Sequence, residues 1–215
     1  MTTIPFADDL ALFALMKEQL YAAVLSDALD QVGLRSQAMR ADIVPIDPRA
    51  VVVGRAVTMQ SIDVFQPEEN VYEHEIAAVD SLRPGDVMVA STHQSTRTCL
   101  WGELLSTASV VRGAHGAIID GYTRDVRMIR ELGFPVFATG TFPVDSAGRS
   151  MVIAYNIPIE CGGVVVHHGD IVFGDIDGVV VIPKEVEREV IQRAVNKIHG
   201  ENVTRDELRN GATLS

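Results

Sequence analysis

The stretch Trp101-Gly102-Glu103-Leu104-Leu105-Ser106-Thr107-Ala108-Ser109-Val110-Val111-Arg112-Gly113-Ala114-His115-Gly116-Ala117-Ile118-Ile119-Asp120-Gly121-Tyr122-Thr123-Arg124-Asp125 decides the fold. Its polar ends enclose a run rich in Ala and Ser, a glycine turn and a short apolar run. That order reads as loop, helix, buried strand, and a strand-end turn into another helix. Small residues from Leu104 to Arg112 let the first helix approach a sheet closely. Gly116 to Asp120 is the strand, Gly121 the turn, and Thr123 the cap of a helix over Arg124 to Leu132. Gly133-Phe134-Pro135 ends that helix, and Val136 to Gly140 is the next strand. A strand, a helix and a second strand in this order predict a parallel crossover and an α/β protein. The same arrangement is expected to bring Glu103, Asp120, Arg124 and Asp125 to one edge of the sheet.

Upstream, apolar residues recur at helical spacing from Asp8 to Leu20 and again from Tyr21 to Gln31, where Gly33 is the stop. Ala50 to Gln60 is β-branched and carries Gly54, which predicts a bulge or a close backbone approach. Pro67 to Leu82 reads as a helix. Its acidic residues Glu68, Glu69, Glu73, Glu75 and Asp80 read as a helix N-terminus and a solvated face rather than as ligands. Arg83-Pro84-Gly85-Asp86 is a turn before the strand Val87 to Ala90, and His168-Gly169-Asp170 before Ile171 repeats the pattern. Asp86 and Asp170 are expected to bond the backbone of their own turns. Ser91 to Trp101 is read as a polar loop. Val164 to Val166, Val172-Phe173 and Val179 to Ile182 are strands. Lys184 to about His199 is an amphipathic helix, and the polar tail after it is a candidate for reaching a neighbouring subunit.

Composition narrows the function. With 215 residues, 47% hydrophobic and 22% charged, the chain has the profile of a folded protein. A net charge of −11 argues against nucleic acid or an anionic membrane as partner. No apolar run approaches the roughly 18 residues of a membrane span. The start, MTTIPFADDLALF, lacks a basic n-region, and the two cysteines, Cys99 and Cys161, form no metal motif. These point to a cytoplasmic protein with reduced thiols.

The chemistry of the opening stretch follows from its residue types. Carboxylate oxygens suit Mg²⁺ or Mn²⁺, which keep several waters and take one or two protein carboxylates directly. Asp125 is placed as the direct ligand, with Glu103 and Asp120 as holders of metal-bound water. Arg124 has the planar fork that binds a carboxylate. The amides of Leu104 and Leu105, after Gly102, open a helix and offer N–H donors to an anion. Together these parts suit a 2-oxo acid, its carboxylate on amides and Arg124 and its keto oxygen on the metal.

Gly102-Glu103-Leu104-Leu105, Arg112-Gly113-Ala114 and Asp120-Gly121-x-x-Arg124-Asp125 resemble the RraA-like family. The likeness runs from Ser26-Asp27-Ala28-Leu29 through Pro84-Gly85-Asp86 to Gly174-Asp175-Ile176-Asp177-Gly178 and the strand ending in Pro183. That family contains the divalent-metal-dependent 4-hydroxy-4-methyl-2-oxoglutarate and 4-carboxy-4-hydroxy-2-oxoadipate aldolases, many of them labelled demethylmenaquinone methyltransferases. This chain has no methyltransferase-like Gly-rich cofactor loop.

The resemblance implies a single α/β domain over residues 1–215. Its α-β-β-α sandwich would resemble the swivelling phosphohistidine domain, assembled as a homotrimer or homohexamer with 184–215 at a subunit interface. It implies Asp125 as metal ligand, Arg124 as the group that binds substrate and stabilises the enolate oxygen, and Glu103 as a holder of metal-bound water. Leu104 and Leu105 would supply amides to the pyruvyl carboxylate. An acid from the neighbouring subunit's C-terminal region is matched here by Glu201, and Asp120 is left as an outer-sphere group. The activity implied is retro-aldol cleavage of a 4-hydroxy-2-oxo acid to pyruvate, with oxaloacetate decarboxylation by the same enolate chemistry. The other role implied is that of a regulator that binds ribonuclease E without catalysis.

Overall fold

The computed structural model describes residues 4–66 and 69–213. In chain order its elements are α1 (Asp9–Gln19), α2 (Ala22–Gln31), β1 (Val44–Pro45), β2 (Val52–Asp63), α3 (Glu73–Asp80), β3 (Asp86–Ser91), β4 (Cys99–Trp101) and α4 (Glu103–Val111). They continue with β5 (Gly116–Thr123), α5 (Val126–Leu132), β6 (Val136–Thr141), β7 (Ser150–Tyr155), β8 (Ile159–Cys161), β9 (Val164–Val166), β10 (Ile171–Asp175), β11 (Gly178–Ile182) and α6 (Glu187–Arg209).

Strands β2, β3, β5 and β6 are parallel neighbours, and β10 and β11 extend the sheet antiparallel beyond β2. The two longest strands each serve two partners along one edge. β2 pairs with β10 near its start and β7 near its end, and β5 pairs with β3 and then β4. β1, at one end of the strand order, lies against β10 and β11 at the other. The sheet therefore curls nearly into a barrel, as the right-handed twist of strands favours.

Period-two alternation sorts the side chains into three cores. The inner face carries Val52, Val87, Val89, Ile118, Phe137 and Val181, closed by Ile159 and Val166 of the β8–β9 hairpin. Helices α1, α2 and α6 cover one outer face through Phe13, Leu25 and Ile191, and α3, α4 and α5 cover the other around Trp101 and Ile129. Helices outside both walls of a folded-over sheet give the α/β layering read from the sequence.

Local chemistry explains where elements start and stop. Asp8 caps α1 by accepting from the Ala11 amide at 3.1 Å. Gly33, at φ +85°, ends α2. A Cβ on Gly54 would stand 2.2 Å from the Gly85 carbonyl oxygen, which is the close approach the sequence predicted. Asp86 accepts from the Arg83 amide and Asp170 from the His167 amide, each at 2.8 Å.

Several boundaries differ from the sequence reading. β5 continues through Gly121 to Thr123. Gly121 is there because a Cβ would meet the Thr92 hydroxyl at 2.6 Å, not because the chain turns. Thr123 donates to the Trp101 carbonyl at 3.0 Å, and Asp125 instead stands at the head of α5. The loop before Gly102 ends in strand β4. α3 begins at Glu73; Pro67 and Glu68, where the sequence reading started it, lie outside the described residues. α6 starts at Glu187 and runs unbroken to Arg209, so what read as a tail is mostly helix. Pairs at i,i+4, Lys197–Glu201 and Glu201–Arg205, support its polar extension.

Candidate functional site

The ends of β4 and β5 are tied together by one carbonyl. Trp101 oxygen accepts from the Arg124 amide at 2.9 Å and from the Thr123 hydroxyl at 3.0 Å. The buried Trp101 indole donates to Ser106 at 2.9 Å, and Ser106 donates to the Gly102 carbonyl at 2.9 Å, which fixes the first turn of α4. Asp125 adopts the left-handed conformation, φ 59° and ψ 29°, at a cost of about 1 kcal/mol or more. That turn sends its carboxylate away from its own helix and onto the start of α4, where Oδ2 accepts from the Glu103 amide at 3.1 Å. Gly102 makes room: a Cβ there would lie 2.7 Å from the same oxygen. The Leu104 and Leu105 amides are in the first turn of α4 and have no acceptor within the helix, so they remain donors with the positive end of the dipole behind them.

Gly102, Leu104, Leu105, Arg124 and Asp125 thus converge on one cavity of about 330 Å³. Arg124 reaches Asp145 at 3.0 Å and lies 3.6 Å from Asp125. Burial would raise the Asp145 pKa, but the Ala147 amide, the Tyr72 hydroxyl and Arg124 together hold it below the usual value. Glu75, from α3, completes the wall and is 8% exposed. Desolvation, with the charge of Asp145 adding and Arg124 opposing, pushes its pKa up to about 7. Cys99 also lines the cavity; burial raises its thiol pKa, which keeps it protonated and a poor nucleophile. A larger cavity of about 480 Å³, walled by Phe13, Val53, His115 and Phe134, has no comparable set of acids beside a guanidinium.

The structure separates residues that the sequence reading grouped. Asp120 is not among the cavity-lining residues. β5 carries an extra residue between Ile119 and Tyr122 in its pairing with β6, and Asp120, buried at this irregularity beside Cys161 and Gly162 on the inner side of the barrel, accepts from the Thr92 amide at 2.5 Å. Glu103 heads α4, but its carboxylate accepts from Thr107 at 2.7 Å along its own helix. Glu201, on α6, accepts from the Tyr21 hydroxyl and lines no part of this cavity within its own chain.

Glu75, Tyr72 and Asp145 also line the cavity, and the sequence reading places none of them there. Glu75 was legible: Glu75, Ala78, Val79 and Leu82 follow the i, i+3, i+4, i+7 spacing of a buried stripe, and all four are buried. Asp145 and Tyr72 come together across 73 residues of chain, at 3.0 Å, and carry no local signal.

Among the described residues no group of three or more His, Cys, Asp or Glu gathers as a metal cage. The cavity nevertheless holds three acids, Glu75, Asp125 and Asp145, against the guanidinium of Arg124. That excess of negative charge, with Asp125 partly exposed, fits a hydrated Mg²⁺ or Mn²⁺ that takes one protein carboxylate directly. No helix among the described residues is long and apolar enough to cross a membrane.

A Halalkalibacterium halodurans protein named "Putative 4-hydroxy-4-methyl-2-oxoglutarate aldolase" is 35% identical over 175 residues, 80% of this chain and 77% of that protein. Protein DlpA of Legionella pneumophila is 28% identical over 90% of this chain, which spans only 31% of DlpA. The crystal structure of Streptomyces coelicolor RraAS2, described as an unusual member of the RNase ES inhibitor RraA protein family, superposes with a TM-score of 0.78 at 30% identity. The match covers 86% of this chain and 91% of that one. The family model described as RraA-like, Aldolase/RraA, matches residues 22–181, and the chain belongs to the RraA-like family.

Proposed function

We propose that the cavity at the start of α4 is the active site of a divalent-metal-dependent lyase that cleaves a 4-hydroxy-2-oxo acid to pyruvate. The substrate would be of the 4-hydroxy-4-methyl-2-oxoglutarate type, and oxaloacetate would be decarboxylated by the same enolate chemistry. The observation that carries the reading is the placement of Arg124 and Asp125 against the open amides of Leu104 and Leu105. Mg²⁺ or Mn²⁺ held by Asp125, with Glu103 binding its water, would supply Lewis-acid polarisation of the keto oxygen.

The chain's own groups do the rest. The Leu104 and Leu105 amides receive the substrate carboxylate and fix its orientation. Breaking the C3–C4 bond moves an electron pair toward the C2 oxygen while the C4 hydroxyl loses its proton and C3 gains one. Arg124 donates to the C2 oxygen as its charge grows. A donor of that kind, held in place beforehand, contributes about 10²–10³ in rate. Asp145, in the same cavity wall, holds the guanidinium at 3.0 Å. In the same reading the protein works as a homotrimer or homohexamer with 184–215 at the subunit interface, where Glu201 would face a neighbour's site.

The test is pyruvate release from a panel of such acids, with and without metal. The likeness to RraAS2 favours a second reading, a regulator that binds ribonuclease E. It predicts capture of that enzyme by a chain that releases no pyruvate.

A further inference from the structure

Strand β5 changes neighbour partway along. β3 accompanies it as far as Ile119, opposite Ala90, and β4 takes over at Tyr122, opposite Cys99. Over the same interval β5 carries one residue more than β6, since Ile119 pairs with Ala138 and Tyr122 with Gly140. Asp120 and Gly121 fill that interval, and Asp120 is a buried acid, 3% exposed, that takes no part in the chemistry above. Its carboxylate accepts from the Thr92 amide at 2.5 Å, and its carbonyl accepts from the Thr92 hydroxyl at 3.2 Å. Thr92 is the first residue after β3, so these two bonds hold the exit of β3 against the bulge. Burial raises the Asp120 pKa, while the Thr92 amide, the charge of Arg40 and the Gly162 amide oppose the rise.

The extra residue decides which way the end of β5 faces. Ile118 faces the inner core, and Ile119 faces the outer one under α3, α4 and α5. Strict alternation would carry Arg124 to the inner face with Ile118 and Asp120. One inserted residue reverses the phase and gives Arg124 the outer face, where Glu75, Leu100 and Trp101 wall the cavity. We propose that Asp120 is a positioning residue: by clamping this bulge to Thr92 it aims Arg124 and Asp125 at the start of α4. It acts through the backbone that leads to Thr123, whose hydroxyl shares the Trp101 carbonyl with the Arg124 amide. Without the clamp the bulge relaxes, and the Asp125 carboxylate drifts from the Glu103 amide it meets at 3.1 Å. A shift of about 1 Å at a reacting centre costs on the order of 10² in rate. The catalytic consequence rests on the lyase reading above, whereas the aim of the two side chains does not.

The test reads hydrogen exchange of single amides by NMR on the full chain in EDTA, and then pyruvate release with MgCl₂. The Glu103 amide, bonded to Asp125, and the Arg124 amide, bonded to Trp101, report the aim; the Val190 amide, bonded to Val186 on α6, is the control. In Asp120→Ala both reporters should exchange at least about tenfold faster while Val190 is unchanged. In the same variant kcat should fall by about 10–100-fold with KM held within about threefold. Asp120→Asn keeps an oxygen for the Thr92 amide and should recover most of both losses. Gly121→Ala sets a Cβ 2.6 Å from the Thr92 hydroxyl and disturbs the clamp without touching the acid. It should reproduce the local acceleration, and it decides the matter if Asp120→Ala does not fold. Unchanged reporters, faster exchange throughout the chain, or Asp120→Asn as damaging as Asp120→Ala overturns the proposal. Full turnover in Asp120→Ala also overturns it and leaves the lyase standing. Local acceleration with no pyruvate from the unaltered chain supports the positioning role and sinks the lyase.

Discussion

Replacing Glu75 with glutamine removes an ionisable group from a buried wall while keeping its shape. In the unfolded chain Glu75 titrates near 4.5; in the fold, burial and the neighbouring Asp145 raise it to about 7. Between those values the folded protein holds a proton that the unfolded chain has lost, so stability falls as pH rises across that window. The stabilising condition, a protonated Glu75, is complete below pH 4.5 and gone above about 7. At about 1.36 kcal/mol per pH unit, the full penalty is roughly 3 kcal/mol, an upper bound because the carboxyl borders an open cavity. A glutamine side chain at this position carries no such penalty. Relative to the unaltered chain, Glu75→Gln should gain up to about 3 kcal/mol in unfolding free energy between pH 4.5 and pH 8. For a chain of this size that is roughly 6–12 °C in Tm. Urea melts of both proteins at matched ionic strength in EDTA, at four pH values across the window, measure the difference directly. A gap that stays constant with pH, or one that narrows as pH rises, refutes the assignment of Glu75 as a desolvated acid. Repeating the series in MgCl₂ should shrink the gap, because a cation among these acids favours their ionised forms.

Other substitutions probe the scaffold. Gly102→Ala places a methyl where the Asp125 carboxylate sits, so Asp125 loses its bond to the Glu103 amide; activity should drop by about tenfold or more with a loss of only about 1–2 kcal/mol in stability, as turnover and urea melts would show. Gly54→Ala drives a Cβ into the Gly85 carbonyl where β2 passes the turn before β3, and should cost about 3 kcal/mol or more, measurable as lowered Tm or lost soluble protein. Arg55 joins β2 to α1 through Asp9, at 2.7 Å, and to α6 through Glu187. Arg55→Met should cost about 3 kcal/mol, and following with Glu187→Leu should recover part of it in a double-mutant cycle.

Much of this arrangement was legible from residues because it rests on local rules. Helical spacing located α1 and α2, glycine marked the close approach at Gly54, and the turns at Asp86 and Asp170 followed from side-chain bonding to nearby amides. The crossover from β5 through α5 to β6 was legible with its direction. What failed was the meaning of Gly121, since a glycine needed for close contact with Thr92 looks, in sequence, like one needed for a turn. That one misreading put Asp120 at the site edge, whereas a continued strand places it inside the barrel. The acidic run in α3 reads as one solvated face, although its helical phase buries Glu75. Asp145 had no signal, because its role depends on contacts with Tyr72 and Arg124 made only in the fold.

The most direct test of the central claim is a metal-dependence assay on the purified chain. Pyruvate is followed from 4-hydroxy-2-oxo acids and oxaloacetate with Mg²⁺ or Mn²⁺, with EDTA, and in the variants Asp125→Asn and Arg124→Met. The result expected is turnover that EDTA abolishes and added metal restores. Asp125→Asn should raise the metal requirement steeply, and Arg124→Met should lower kcat by about 10²–10³ with little change in folding. Full activity in EDTA, or pyruvate release unaffected by both substitutions, would contradict the assignment of this cavity as the catalytic site.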